Sequence, residues 1–228
     1  MAILTTSGRA ALAAAIKQQP LHLALGEGET SWDTPKEISG AFDAENKLQT
    51  GSTHISDVVV KSGSTTYAIN DDYTVNASTG TINRVITGFI PEGGEVTVSF
   101  MANHPPEDTG RTALLREVGR RVVDEVHFVS PDPLGEIVVP TGRYTISTAH
   151  TNHLFVRVRF DFEDASTSTI REQGLFVSTV TDDTLPVGQK FFIPTQIEDP
   201  GILLILQHSV PIVRQPSTRE TFEFVVTF

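Results

Sequence analysis

The sequence predicts a mainly β protein: an antiparallel β-sandwich body with a short N-terminal helix and an inserted small β-module. Three observations lead there. Along residues 154–162, Leu154, Val156, Val158, Phe160 and Phe162 alternate with Phe155, Arg157, Arg159 and Asp161, the period of two that gives a strand one core face and one wet face. The end of the chain repeats the device, with Phe222, Phe224, Val226 and Phe228 set against Glu223, Val225 and Thr227. Between residues 52 and 101, short apolar runs are separated by Ser62-Gly63, Asn70-Asp71-Asp72, Ala77-Ser78-Thr79-Gly80 and Pro91-Glu92-Gly93-Gly94, residues that accept tight turns.

At 228 residues the chain can bury a core without covalent staples, and it contains no cysteine. Its net charge of −11 argues against a surface that neutralises phosphates, so no nucleic-acid partner is expected. The opening Met1-Ala2-Ile3-Leu4-Thr5-Thr6-Ser7 lacks the charged and apolar regions of a signal peptide, and no stretch approaches the length of a membrane span. A soluble protein with no membrane partner is expected.

In chain order, Ser7 is placed to cap a helix from Gly8 to Gln18, which Pro20 cannot continue. Leu12 and Ile16 share one face of it, and the surrounding alanines allow another backbone close by, so the helix should dock on a sheet or a neighbouring subunit. Residues 21–25 alternate as a strand that stops at Gly26, and residues 26–49 read mostly as loop. Trp32 and Phe42 in that loop are either aromatics that a partner covers or residues packed on their own domain.

Short strands follow at 58–60, 67–69, 73–75, 81–82 and 96–100. Asn103-His104-Pro105-Pro106-Glu107-Asp108 is a Pro-rich link. Residues 112–121 read as a helical turn with Leu114, Leu115 and Val118 inward, Arg116 beside Arg120, and Glu117 beside Arg121; an ion-paired turn at a subunit interface is the expected use. Further strands at 137–139, 144–146, 175–177, 191–193 and 202–206 complete the sandwich. The expected domains are 1–51 as part of the body, 52–102 as the inserted module, and 103–228 as the body proper.

Residues 72–82 and 88–100, Asp-Tyr-Thr-Val-Asn-Ala-Ser-Thr-Gly-Thr-Ile and Gly-Phe-Ile-Pro-Glu-Gly-Gly-Glu-Val-Thr-Val-Ser-Phe, resemble a recurrent β-module of phage tail and baseplate proteins. Around it, Leu4-Thr5-Thr6-Ser7-Gly8-Arg9-Ala10-Ala11-Leu12, the strand from Leu21, the segment Thr112 to Arg121, and Ile170-Arg171-Glu172-Gln173-Gly174-Leu175-Phe176 are similar to the N-terminal region of tail-collar fibre proteins and of baseplate tail-fibre adaptors. The resemblance implies a virion structural protein of a contractile phage tail, assembled in the host cytoplasm. Its implied partners are itself, as a dimer or trimer, and other tail proteins, namely a baseplate wedge and a tail fibre. Because nothing after Phe228 supplies a shaft, an adaptor is expected over a fibre.

The residues offer little chemistry. His150 and His153 have the one metal-like spacing, but a site needs a third converging ligand. Asp161, Glu163 and Asp164, like Asp71 and Asp72, match no calcium loop and read as solvated turn acids. Glu107 with Asp108 and Asp124 with Glu125 are adjacent, so on a strand they point to opposite faces and cannot flank one bond. No Gly-x-Ser-x-Gly elbow or phosphate-binding loop occurs. No catalytic residue, cofactor, metal or small-molecule substrate is therefore expected, and the candidate functional residues are interfacial: Leu12, Ile16, Trp32, Phe42, Arg116, Glu117, Arg120 and Arg121. The alternative, a carbohydrate- or receptor-binding tail module, would need an aromatic platform that one Trp and three Tyr scarcely supply.

Overall fold

The computed structural model describes residues 2–102 and 104–228. Met1 and Asn103, which belong to the N-terminal and Pro-rich stretches discussed above, lie outside the described residues. Among those described, one α-helix, α1 (Thr6–Lys17), precedes β1 (Leu21–Gly26). Then come β2 (Pro35–Ala41), β3 (Lys47–Gln49), β4 (Ile55–Ser62), β5 (Thr65–Thr66), β6 (Tyr73–Asn76), β7 (Thr81–Arg84) and β8 (Glu95–Ala102). The rest are β9 (Glu117–Val122), β10 (Glu125–Pro131), β11 (Ile137–Val139), β12 (Gly142–Ile146), β13 (His153–Phe160), β14 (Thr169–Val177), β15 (Val180–Thr181), β16 (Phe191–Phe192), β17 (Ile197–Asp199), β18 (Ile202–Val213) and β19 (Glu220–Thr227). The mainly β class with one short N-terminal helix is as expected. No helix among the described residues is long and apolar enough to cross a membrane.

The chain divides into two compact units, the first comprising residues up to Glu27, Gly110–Gln207 and Val213–Phe228, the second Gly28–Thr109 with His208–Ile212. In the first unit, two five-stranded sheets run in the orders β16-β9-β1-β14-β18 and β11-β12-β10-β13-β19. Strand β1 runs antiparallel to both its neighbours; Leu23 of β1 faces both Leu175 of β14 and Arg121 of β9. Being central, β1 is buried along its whole length, so its alternation does not produce a wet face. In the other sheet Val158 pairs with Phe222, and Phe160 meets Phe191 and Phe222 edge-on at centroid distances of 6.2 and 5.6 Å. Phe160 thus joins the sheets, since Phe191 lies in the first and Phe222 in the second. Phe155, expected outward, is buried with Val129, Val139 and Tyr144, while Phe162 at the end of the run is exposed.

Helix α1 is capped two residues earlier than the serine suggests: the Thr5 hydroxyl accepts the Gly8 N–H at 3.1 Å. Ala13 is its one fully buried residue, and α1 lies against β13. Losing a Ser or Thr cap costs about 1 kcal/mol. Thr5→Ala should accordingly lower hydrogen-exchange protection of the α1 amides by about fivefold, with the sheets unaffected.

The second unit holds a four-stranded sheet, β2-β8-β4-β5, and a three-stranded one, β3-β7-β6. Val98 of β8 pairs with Ile38 on one side and Val60 on the other, and Ile82 pairs with Leu48 and Val75. Their core gathers Phe42, Ile55, Val60, Tyr73, Ile82, Ile90, Val96, Val98 and Phe100. This unit is wider than the 52–102 module expected from sequence. Residues 35–41 and 47–49, read as loop, are strands β2 and β3 that close its two sheets. Strand β5 covers Thr65–Thr66, whereas Tyr67–Ile69 was the expected strand.

Two turns show why their residues are there. Gly80 has φ +67°, and a Cβ on it would lie within the van der Waals shell of the Ser52 carbonyl, so only glycine fits. Asp72 is no solvated acid: it is buried, and its carboxylate accepts the Phe89 N–H at 2.7 Å and the Ala68 N–H at 2.8 Å, which hold its carboxyl below the usual range.

Candidate functional site

Residues 112–121 form no helical turn. Glu117–Val122 is β9, placed between β1 and β16, and Gly119 sits so close under Phe191 that a Cβ would come 2.4 Å from the ring. With a strand in place of a helix, the expected ion pairs are redistributed. Arg116 pairs with Glu27 at 2.7 Å on the surface. Glu117 pairs with Arg120, whose Nε and Nη2 donate to the two carboxylate oxygens, each at 2.7 Å. Arg121 turns to Asp161, at 3.2 Å, and Asp164.

These charges are internal. Arg120, Arg121 and Arg214 are buried, and Glu172 is 0% exposed. Arg214 donates from Nη2 to the Asp161 and Asp164 carbonyls at 2.8 and 3.2 Å, while Glu172 accepts the Leu115 N–H at 2.8 Å. Asp161 and Asp164, expected as solvated acids, are bound into this lattice. Burial raises the pKa of Asp161, but Arg121 and Arg219 outweigh it and hold the carboxyl below its ordinary value. The lattice ties β9 to the 161–164 turn and the end of β18, so Glu117, Arg120 and Arg121 build the first unit from inside and Arg116 alone of the four is well exposed.

The other expected interface residues divide. Leu12 is 47% exposed on α1, with Ile16 half-buried beside it; Ile3 and Leu4 just before the helix are 81% and 52% exposed. A groove of about 650 Å³ runs between the start of α1 (Thr5, Thr6, Ser7, Ala10) and His150, Thr151 and Asn152. His150 stacks near Phe128 at 4.8 Å, and Nδ1 of His153 bonds the Thr227 hydroxyl at 2.9 Å. In the second unit Phe42 lies in the core, which removes it as an interface residue, whereas Trp32 is half-buried on a short helical turn, Thr30–Asp33, with its ring 4.7 Å from that of His208.

His208 belongs to a cluster that sequence reading missed. His104, Glu107 and His208 each bring a ligand atom within 4.8 Å of the other two. Among the described residues the other convergent group is Asp182, Asp183 and Glu198, at the surface. Local spacing could not reveal the first cluster, because 101 positions separate Glu107 from His208.

The baseplate wedge 3 tail fiber network component family model matches residues 1–74 and 94–228. The chain belongs to that family. No curated protein is significantly similar to it. Membership makes it a structural protein of the bacteriophage baseplate and tail-fibre network, located in the virion tail, and bears out the phage tail resemblance. Within the second unit, the unmatched residues of this family member run from the end of β6 through β7 to the turn before β8. The match resumes just before β8 and includes all of β9 and β14, the strands that carry Glu117, Arg120, Arg121 and Glu172.

Proposed function

We propose that the chain works as an oligomeric adaptor, a dimer or trimer that fastens tail fibres to the baseplate of a contractile phage tail after assembly in the host cytoplasm. It does so without catalysis and without a nucleic-acid partner. Family membership supports the setting. The observation that carries the adaptor reading is the exposed apolar surface of the N-terminal segment: Ile3 and Leu4 just before α1 and Leu12 on it stand exposed, and the helix is anchored through Ala13. Exposed apolar surface grouped on a rigid element is what an assembling protein offers to a neighbour. The buried arginine lattice supports it by holding the first unit in one shape.

Burying a leucine is worth about 1.5–3 kcal/mol, or roughly tenfold to a hundredfold in association. Leu12→Glu should weaken self-association by at least about tenfold, as read by size-exclusion chromatography with light scattering, and leave the thermal midpoint nearly unchanged. A parent protein that stays monomeric at high concentration and captures neither wedge nor fibre protein would contradict the adaptor role.

A further inference from the structure

The strongest unexplained arrangement is the histidine pair of the second unit. His104 and His208 approach from the Pro-rich segment and from β18, and both rings are buried. Each Nδ1 lies within hydrogen-bond distance of one acceptor, the Pro105 carbonyl, at 3.0 Å from His104 and 2.9 Å from His208. A carbonyl can only accept, so both Nδ1 atoms carry the proton and each ring has its lone pair on Nε2. A backbone carbonyl that fixes the tautomer in this way is the usual support behind a metal-bound imidazole. Nε2 of His104 is buried with no hydrogen-bond partner among the described residues, an arrangement that costs stability unless something takes up the lone pair.

The surroundings suit an ion. Glu107 supplies a carboxylate, and the exposure of its side chain leaves it room to move. Its Oε1 accepts the His208 N–H at 2.9 Å, which aims the second oxygen. Trp32 covers His208, and His54 stacks on His104 at a centroid distance of 4.2 Å. A cavity of about 260 Å³, lined in part by Trp32, Lys36, His104 and Pro105, provides an approach.

We infer that His104, Glu107 and His208 form a binding site for a divalent transition-metal ion of the zinc class, two imidazoles and one carboxylate with solvent completing the tetrahedron. Zinc–ligand lengths of about 2.0–2.1 Å set tetrahedral edges of roughly 3.4 Å. One ring nitrogen of each histidine and a Glu107 carboxylate oxygen lie within 4.8 Å of one another, so reaching such edges asks for closure of about 1.4 Å or less. The exposed Glu107 side chain can move to close its own distances to the two rings. Two neutral nitrogens with one carboxylate favour zinc over calcium or magnesium, which take all-oxygen shells. Bound there, the ion would cross-link the Pro-rich segment to β18 within the second unit.

The test uses the full-length chain stripped with chelator and titrated with zinc sulfate by calorimetry, and with cobalt(II) followed by visible absorption. The expected result is one equivalent of zinc bound, tetrahedral-type cobalt bands, and a higher thermal midpoint. Glu107→Gln and His208→Gln should each weaken zinc binding by more than about 100-fold, with His150→Gln and His153→Gln unchanged. Failure of the parent chain to bind a stoichiometric ion would overturn the assignment, as would parent-like affinity in Glu107→Gln. Because Glu107 is exposed, that variant decides the matter even if His208→Gln fails to fold.

Discussion

Arg120→Ala should destabilise the first unit by about 3–5 kcal/mol, the cost of removing one partner of a buried ion pair. The Arg120 side chain is 2% exposed and uses its planar fork fully. Nε and Nη2 grip Glu117; Nη1 donates to the Thr179 hydroxyl at 3.0 Å and the Pro200 carbonyl at 2.7 Å; and the guanidinium lies 4.0 Å from the Phe176 ring centroid. Alanine would leave Glu117 as a largely buried charge without its counter-ion and the Pro200 carbonyl without this donor. Arg120→Lys keeps the charge but cannot reproduce two parallel bonds to one carboxylate, and should recover only part of the loss. Arg120→Met combined with Glu117→Leu removes both charges and should lie much closer to the parent than Arg120→Ala does. Guanidinium denaturation with an unchanged slope is the measurement. A loss under about 1 kcal/mol in the single variant would mean that the lattice is slack.

That lattice also shows where the sequence stopped being legible. Strands β8 and β19 could be read because each alternates in the chain and largely keeps that alternation in its burial, while β13 could be read from its alternation although Phe155 on its second face is buried as well. Strand β9 could not: Leu114, Leu115 and Val118 have helix-like spacing, and its arginines look like solvent-facing residues until β1, Glu117 and Asp164 are beside them. Strand β2 was missed for the opposite reason. It is an edge strand whose residues are mostly exposed, so it needs few apolar side chains, and its pairing to β8 rests on backbone hydrogen bonds that leave little trace in composition. Phe42 followed from that error, since an aromatic beside an unrecognised strand looks like one stranded in a loop. The candidate surface was legible at Leu12 because helix periodicity is local. The histidine cluster was not, because it is assembled by topology from residues of no mutual spacing.

Acidification should cost the first unit about 3 kcal/mol between pH 6.5 and 4 through His22 alone. This ring lies in β1, 5% exposed, edge-on to Phe192 at 5.8 Å, and its Nδ1 is buried with no hydrogen-bond partner among the described residues. Burial, reinforced by the Arg120 charge, lowers its pKa from 6.5 to about 4. In the unfolded chain His22 takes its proton near pH 6.5, but in the folded chain only near pH 4. Between those limits the unfolded state binds more protons, so stability rises with pH across the window, is complete above it, and is lost as pH falls through it. At about 1.36 kcal/mol per pH unit the full window amounts to about 3 kcal/mol. His153, in the same unit, is also held below its ordinary value by burial and adds a loss of the same sign, so the His22 share must come from a difference. His22→Phe retains the aromatic contact with Phe192 and has no proton to accept. Hydrogen exchange of the β1 amides at pH 7 and pH 4.5, corrected for intrinsic rates, should therefore show a much smaller loss of protection in the variant. An equal loss in both proteins would show that His22 is already protonated in the fold, with its charge accommodated beside Arg120.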